Sequence, residues 1–154
     1  MQKTILITGS TDGIGLEAAK MLVSLGHNVL LHGRSLAKLE NVERALSAIA
    51  DGGQVESYVA DLSRMADVEA LAKAVAEKHA KLDVLINNAG ITSHRPFWQL
   101  SDDEWDEVIN VNLTGTAFCC KEASRLMVAQ GGGHLIQISS FTALNGARGQ
   151  CNYV

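Results

Sequence analysis

The chain has 154 residues, 47% of them hydrophobic, which is one domain's length with apolar content enough for a sizeable core. Thirteen basic against seventeen acidic residues give a formal charge of −4 with no basic cluster, which argues against nucleic acid and anionic membranes as partners. No apolar run reaches the length of a membrane span, and Met1-Gln2-Lys3-Thr4 runs straight into a strand-like segment, so no leader is expected. A cytoplasmic location is expected. Cys119, Cys120 and Cys151 are odd in number, neighbours pair only with strain, and none has metal-ligand spacing, so reduced thiols are expected.

The first predicted strand, Thr4–Thr8, is short and rich in β-branched residues. It ends in Gly9-Ser10-Thr11-Asp12-Gly13-Ile14-Gly15, and a helical stretch near Ile14–Ser24 follows at once. A strand that stops at small residues and re-enters as a helix leaves N–H groups at a positive dipole end, which suits a phosphate. Gly9 serves a tight turn, Gly13 the approach of a ligand to the backbone, and Gly15 close packing of helix on strand. Asp12 is a counter-signal, because a carboxylate repels a phosphate.

Further strands are predicted at Asn28–His32, Gln54–Val59, Val84–Asn87 and His134–Ser139. Helices are expected near Leu36–Ala50, Met65–Lys78 and Asp102–Gln130, the last with a break near Asn112. Gly26, Gly52-Gly53 and Gly131-Gly132-Gly133 mark helix ends, and Ser101 with Glu104 makes a capping box. Pro96 lies in Ile91–Leu100, which reads as a loop. There is no repeat or linker, so residues 1–154 are expected to form one domain. Strand–helix alternation with short links implies an α/β fold, a doubly wound parallel sheet covered on both faces.

In such a sheet the ligand sits at the carboxyl ends of the strands. The second strand leaves Gly33-Arg34-Ser35 there. A carboxylate would bind a ribose 2′-hydroxyl and an arginine a 2′-phosphate, so Gly33 and Arg34 favour NADP(H) over NAD(H), the alternative being a solvated loop cation. The third leaves Ala60-Asp61-Leu62, in which Asp61 either accepts from an adenine amino group or caps the next helix. The fourth leaves Asn87-Asn88-Ala89-Gly90, whose amides can tie strands together while the small residues leave space for a flat cofactor. The fifth leaves Ser139-Ser140, with Tyr153 thirteen positions after Ser140. A tyrosine hydroxyl can exchange a proton with a carbonyl or alcohol oxygen, and a serine hydroxyl can hold that oxygen. His94, Phe97 and Trp98 either face a substrate or anchor their loop on the core, the anchor being preferred. Cys151 is expected to pack.

Taken together these residues resemble the short-chain dehydrogenase/reductase family. The matches are Thr8–Gly15, Asp61, Asn87–Gly90, Asn112 within Val111-Asn112-Leu113-Thr114-Gly115, Ser140 and Tyr153. The resemblance implies a Rossmann-type sheet of order 3-2-1-4-5 that lacks the family's last two strands and their helices, since it covers about the first two-thirds of a member. It implies that Gly9, Thr11, Asp12, Gly13, Ile14 and Gly15 hold the pyrophosphate region. Asp61 and Leu62 would meet the adenine, and Asn88, Ala89 and Gly90 would line the cleft. Asn112, Ser140 and Tyr153 are the implied catalytic residues: Asn112 supports a proton-relay water, Ser140 orients the substrate oxygen and Tyr153 acts as acid or base. The implied reaction is reversible hydride transfer between NAD(P)(H) and a small-molecule carbonyl or alcohol, with homo-oligomers formed through the helices of Asn112 and Tyr153. The family places a lysine four residues after the tyrosine, whereas this sequence stops at Val154. Three readings follow: a stretch of an ordinary oxidoreductase, a catalytically inactive nucleotide-binding module with a regulatory or interaction role, and a catalyst completed by a partner subunit.

Overall fold

The computed structural model describes residues 1–49 and 52–153. Its strands are β1 (Thr4–Ile7), β2 (Asn28–Gly33), β3 (Val55–Val59), β4 (Val84–Asn87) and β5 (His134–Gln137). They pair in parallel in the order β3-β2-β1-β4-β5, as the resemblance implies. The helices are α1 (Gly13–Ser24), α2 (Leu36–Ser47), α3 (Met65–Lys78), α4 (Asp102–Ile109), α5 (Thr116–Ala129) and the single turn α6 (Thr142–Asn145).

The period of two in the strands divides the apolar residues between two cores. Ile5 and Ile7 of β1, with Val29 and Leu31 of β2, pack on Ala19 and Val23 of α1 and on Leu39 and Leu46 of α2. Leu6, Leu30 and Leu85 turn the other way. They meet Val68, Leu71 and Val75 of α3 and Cys119, Ala123 and Met127 of α5, each set recurring at helical spacing. Fully burying one such side chain contributes roughly 1.5–3 kcal/mol, so these two layers fix the sheet and with it the positions of the strand ends.

Several boundaries differ from expectation. β1 stops at Ile7 because the Thr8 hydroxyl turns to accept the N–H groups of Asn88 and Ala89, each at 3.0 Å. β2 runs one residue further, to Gly33, and β5 ends at Gln137 rather than Ser139. α2 ends at Ser47, where Ile49 N–H bonds Leu46 O and the last turn tightens; the expected end at Ala50 lies outside the described residues. The long helix is broken as expected: α4 gives way to a π-type turn, Asn110–Gly115, before α5 begins. Ser101 and Glu104 form the capping box of α4, and the loop around Pro96 contains one 3-10 turn, Phe97–Gln99. Among the described residues no helix is long and apolar enough to cross a membrane.

Candidate functional site

The loop between β1 and α1 is fixed from both sides. Gly9 and Gly13 adopt φ of +63° and +53°, which side-chain-bearing residues rarely do. A Cβ on Gly9 would lie 2.8 Å from Ala89 Cα, and one on Gly15 would lie 2.5 Å from Gly9 O. Asn88 Nδ2 donates to both Thr8 O (3.0 Å) and Gly9 O (3.1 Å), so the end of β4 holds the loop in place. At Gly13 the space is open, with nothing within 4 Å of a built Cβ. Asp12 is the N-cap of α1, and its Oδ1 accepts Gly13 N–H at 2.8 Å. The N–H groups of Ile14 and Gly15 follow in the first turn, where a helix supplies no acceptor of its own.

The loop from Gly9 to Ile14 borders an open cleft of about 460 Å³ at the carboxyl ends of the strands. Of the residues expected there, Gly9, Thr11, Asp12, Gly13, Ile14, Arg34, Asp61, Leu62, Asn88, Ala89 and Gly90 line it. Gly15 does not, because it is buried under Asn88 and the Gly9 carbonyl. Gly33 lines it too, as do three residues that the sequence did not point to as lining: His32, Ile91 and Val111. A polar residue closing an otherwise apolar strand was the available signal for His32.

The charges at the cleft rim are coupled. The Arg34 guanidinium lies 4.0 Å from Glu107 Oε1, and both side chains are largely exposed. Asp61 Oδ1 accepts the Ser63 N–H (3.0 Å) and hydroxyl (2.8 Å). Partial burial pushes the Asp61 carboxyl up, but the two Ser63 bonds and the charges of Arg34 and Arg64 outweigh it and hold it below the ordinary carboxylate range. Asp61 is not the cap of α3. That helix starts at Met65, with Arg64 at the N-cap and no side-chain cap bond, so the Asp61 carboxylate reaches only as far as Ser63.

The remaining candidates lie further along the sheet. Asn112 sits in the π-type turn, where its Oδ1 accepts Ile91 N–H and its Nδ2 donates to Ile91 O, both at 2.9 Å. Ser140 Oγ lies 2.8 Å from Thr142 Oγ1 and accepts Thr142 N–H at 3.2 Å. Tyr153 is half-buried, with its N–H on Gln150 O at 3.0 Å. Neither Ser140 nor Tyr153 lines the cleft. Phe97 and Trp98 are 69% and 82% exposed, so they do not anchor their loop on the core; Phe97 meets only the edge of Trp105, centroids 6.4 Å apart. The His94 ring is likewise exposed and accepts from Gln150 Nε2. Cys151, expected to pack, is exposed.

With this geometry in place, the profile of the short chain dehydrogenase family matches residues 3–154. The chain belongs to that family. It is 37% identical over 156 residues to the 3-oxoacyl-(acyl-carrier-protein) reductase FabG of Staphylococcus aureus, covering 100% of this chain and 62% of the relative. A metagenomic short-chain oxidoreductase in complex with NADP superposes with a TM-score of 0.92 at 36% identity, over 98% of this chain and 68% of that one. An NAD+-bound xylitol dehydrogenase gives 0.91 at 28% identity, over 98% and 58%. The chain spans about 60% of the length of the curated relatives it matches.

Proposed function

We propose that the chain is the nucleotide-binding and catalytic part of an NADP(H)-dependent oxidoreductase that interconverts a carbonyl and an alcohol. The observation that carries this reading is the convergence of the glycine loop, the amino end of α1, Arg34, Asp61 and Asn88–Gly90 on one cleft. The residues fit a dinucleotide. The backbone at Gly13 is open to a ligand, and the N–H group of Ile14 at the amino end of α1 suits a pyrophosphate. Asp61 Oδ2 has no hydrogen bond among the described residues and suits the adenine amino group. A side chain at position 33 would start 2.9 Å from Thr11 Cγ2, which leaves Arg34 as the residue for a 2′-phosphate.

The bound dinucleotide supplies the hydride. On reduction the Ser140 hydroxyl orients the carbonyl oxygen and the Tyr153 hydroxyl gives it a proton; on oxidation Tyr153 takes that proton back. Asn112, through its two bonds to Ile91, holds the loop after β4. The Staphylococcus aureus relative is named for a 3-oxoacyl-(acyl-carrier-protein), so a 3-oxoacyl thioester is the first substrate to test.

The placement of Ser140 and Tyr153 outside the cleft lining favours a second reading, a chain that binds nucleotide without turnover as a regulatory or interaction module. Fluorescence titration with NADPH and NADH, followed by NADPH oxidation with a 3-oxoacyl thioester, separates the two. Oxidation supports the first reading, and binding without oxidation the second. Arg34→Asp is expected to weaken NADPH by about 10- to 100-fold, the worth of a charge-assisted contact, and NADH by less than about threefold. Equal losses defeat the assignment of Arg34, and no binding of either nucleotide defeats both readings.

A further inference from the structure

His32 is 2% exposed and closes the apolar run of β2, on the sheet face of Leu30 and Tyr58. A histidine buried this deeply needs a partner for each ring nitrogen. Nδ1 lies 3.1 Å from Gly9 N, and Nε2 lies 3.1 Å from Ala60 O. A backbone N–H only donates and a carbonyl only accepts, so the ring is neutral and carries its hydrogen on Nε2. The backbone of the same residue is used as well. His32 N–H donates to Ser10 Oγ (2.9 Å), and His32 O accepts Ser10 N–H (3.0 Å). One residue therefore joins the ends of β1, β2 and β3 beneath the cleft that it helps to line.

We propose that His32 is a positioning residue for nucleotide binding: its neutral ring latches Gly9 N–H inward and so holds the loop that presents the Ile14 amide. The inference rests on the reading of the cleft as a dinucleotide site. Gly9 is a conformationally permissive point of the loop, and it is held on both sides, its N–H by His32 and its carbonyl by Asn88. Without the ring the loop adopts its binding geometry for a smaller fraction of the time, and affinity falls in proportion. Burial keeps the ring neutral, moving its pKa down to about 4 against the opposing Ala60 bond and Asp61 charge. The groups around it are Asp61 after β3, Asp12 and Arg34 on the cleft rim, and Tyr58 on β3, which burial keeps protonated. A protonated ring would set one N–H against another at Gly9.

Two measurements on the 154-residue chain test this. In the wild type, nitrogen NMR of labelled histidine should show one ring protonated on Nε2 and unchanged from about pH 8 to 5, well below the ordinary histidine value near 6.5. A ring protonated on Nδ1, or one titrating at the ordinary value, overturns the latch. In NADPH titrations His32→Asn, whose amide oxygen can take the place of Nδ1, should bind within about threefold of wild type, whereas His32→Leu, which fills the space but accepts nothing, should lose about tenfold or more. Leucine equal to wild type, or equal losses in both variants, overturns the proposal. Failure of the wild type to bind nucleotide defeats the reading of the cleft and the proposal with it, whereas failure confined to the variant pattern defeats the latch alone.

Discussion

Gly15 shows how little space single atoms have at the base of the loop. A methyl there would start 2.5 Å from the Gly9 carbonyl oxygen, a backbone atom already held by Asn88. Gly15→Ala is therefore expected to displace the loop, costing about 1–3 kcal/mol of stability from overpacking and about tenfold or more in NADPH affinity. Thermal melting and titration check it, and unchanged binding would refute the tight packing assigned to this position. Gly13 differs, because its need is a positive φ over open space. Asp12 is both cap and obstacle: its carboxylate takes the Gly13 N–H that an anion would otherwise use.

At the scale of elements, the break between α4 and α5 is held by one side chain. Asn112 satisfies both polar groups of Ile91, a residue 21 positions earlier. Asn112→Ala removes both bonds and leaves partly buried backbone groups unpaired, with an expected cost of about 1–3 kcal/mol. A urea midpoint equal to wild type would show that the turn holds without them. The break itself was legible, since an asparagine and a glycine interrupt an otherwise helical run at Asn112 and Gly115. The glycine loop was legible for the same local reason. Other features depend on what the fold brings together. His32 sits at a strand position that periodicity reads as core, and nothing near it in sequence announces Gly9 or Ala60. For Asp61 the sequence leaves a helix cap open beside the adenine reading, and its carboxylate settles on Ser63 instead of capping α3. Arg34 reads as the residue for a 2′-phosphate, with a solvated loop cation as the alternative, and its approach to Glu107 depends on how α4 lies over the strand ends.

Over the whole molecule the titrating groups give stability a two-part dependence on pH. His32 has a folded pKa of about 4 against roughly 6.5 unfolded. The unfolded chain therefore binds the extra proton first, and stability is full above about pH 6.5 and falls by ~3 kcal/mol as pH drops to the folded value. Glu56, Asp61 and Asp83 act lower down. Partial burial raises each, but hydrogen bonds and nearby cations outweigh it, and all three lie below the ordinary carboxylate range. Their contribution is present above their unfolded values and is lost as pH falls through the folded ones. Urea unfolding at pH 7, 5 and 3.5 should resolve both limbs, and His32→Asn should flatten the upper one alone. A wild type of constant stability between pH 7 and 4 contradicts this assignment.

The amide of Asn88 has a consequence in time as well as in space. The two carbonyls that it holds, those of Thr8 and Gly9, precede it by 80 and 79 residues. While a ribosome has delivered only the first three strands, the glycine loop has its His32 bond but lacks the Asn88 clamp on its carbonyls. Its shape must wait for β4 to dock beside β1, a long-range closure expected among the later events of folding. A ligand that recognises the finished loop then slows escape from the native state and leaves the rate of reaching it nearly unchanged.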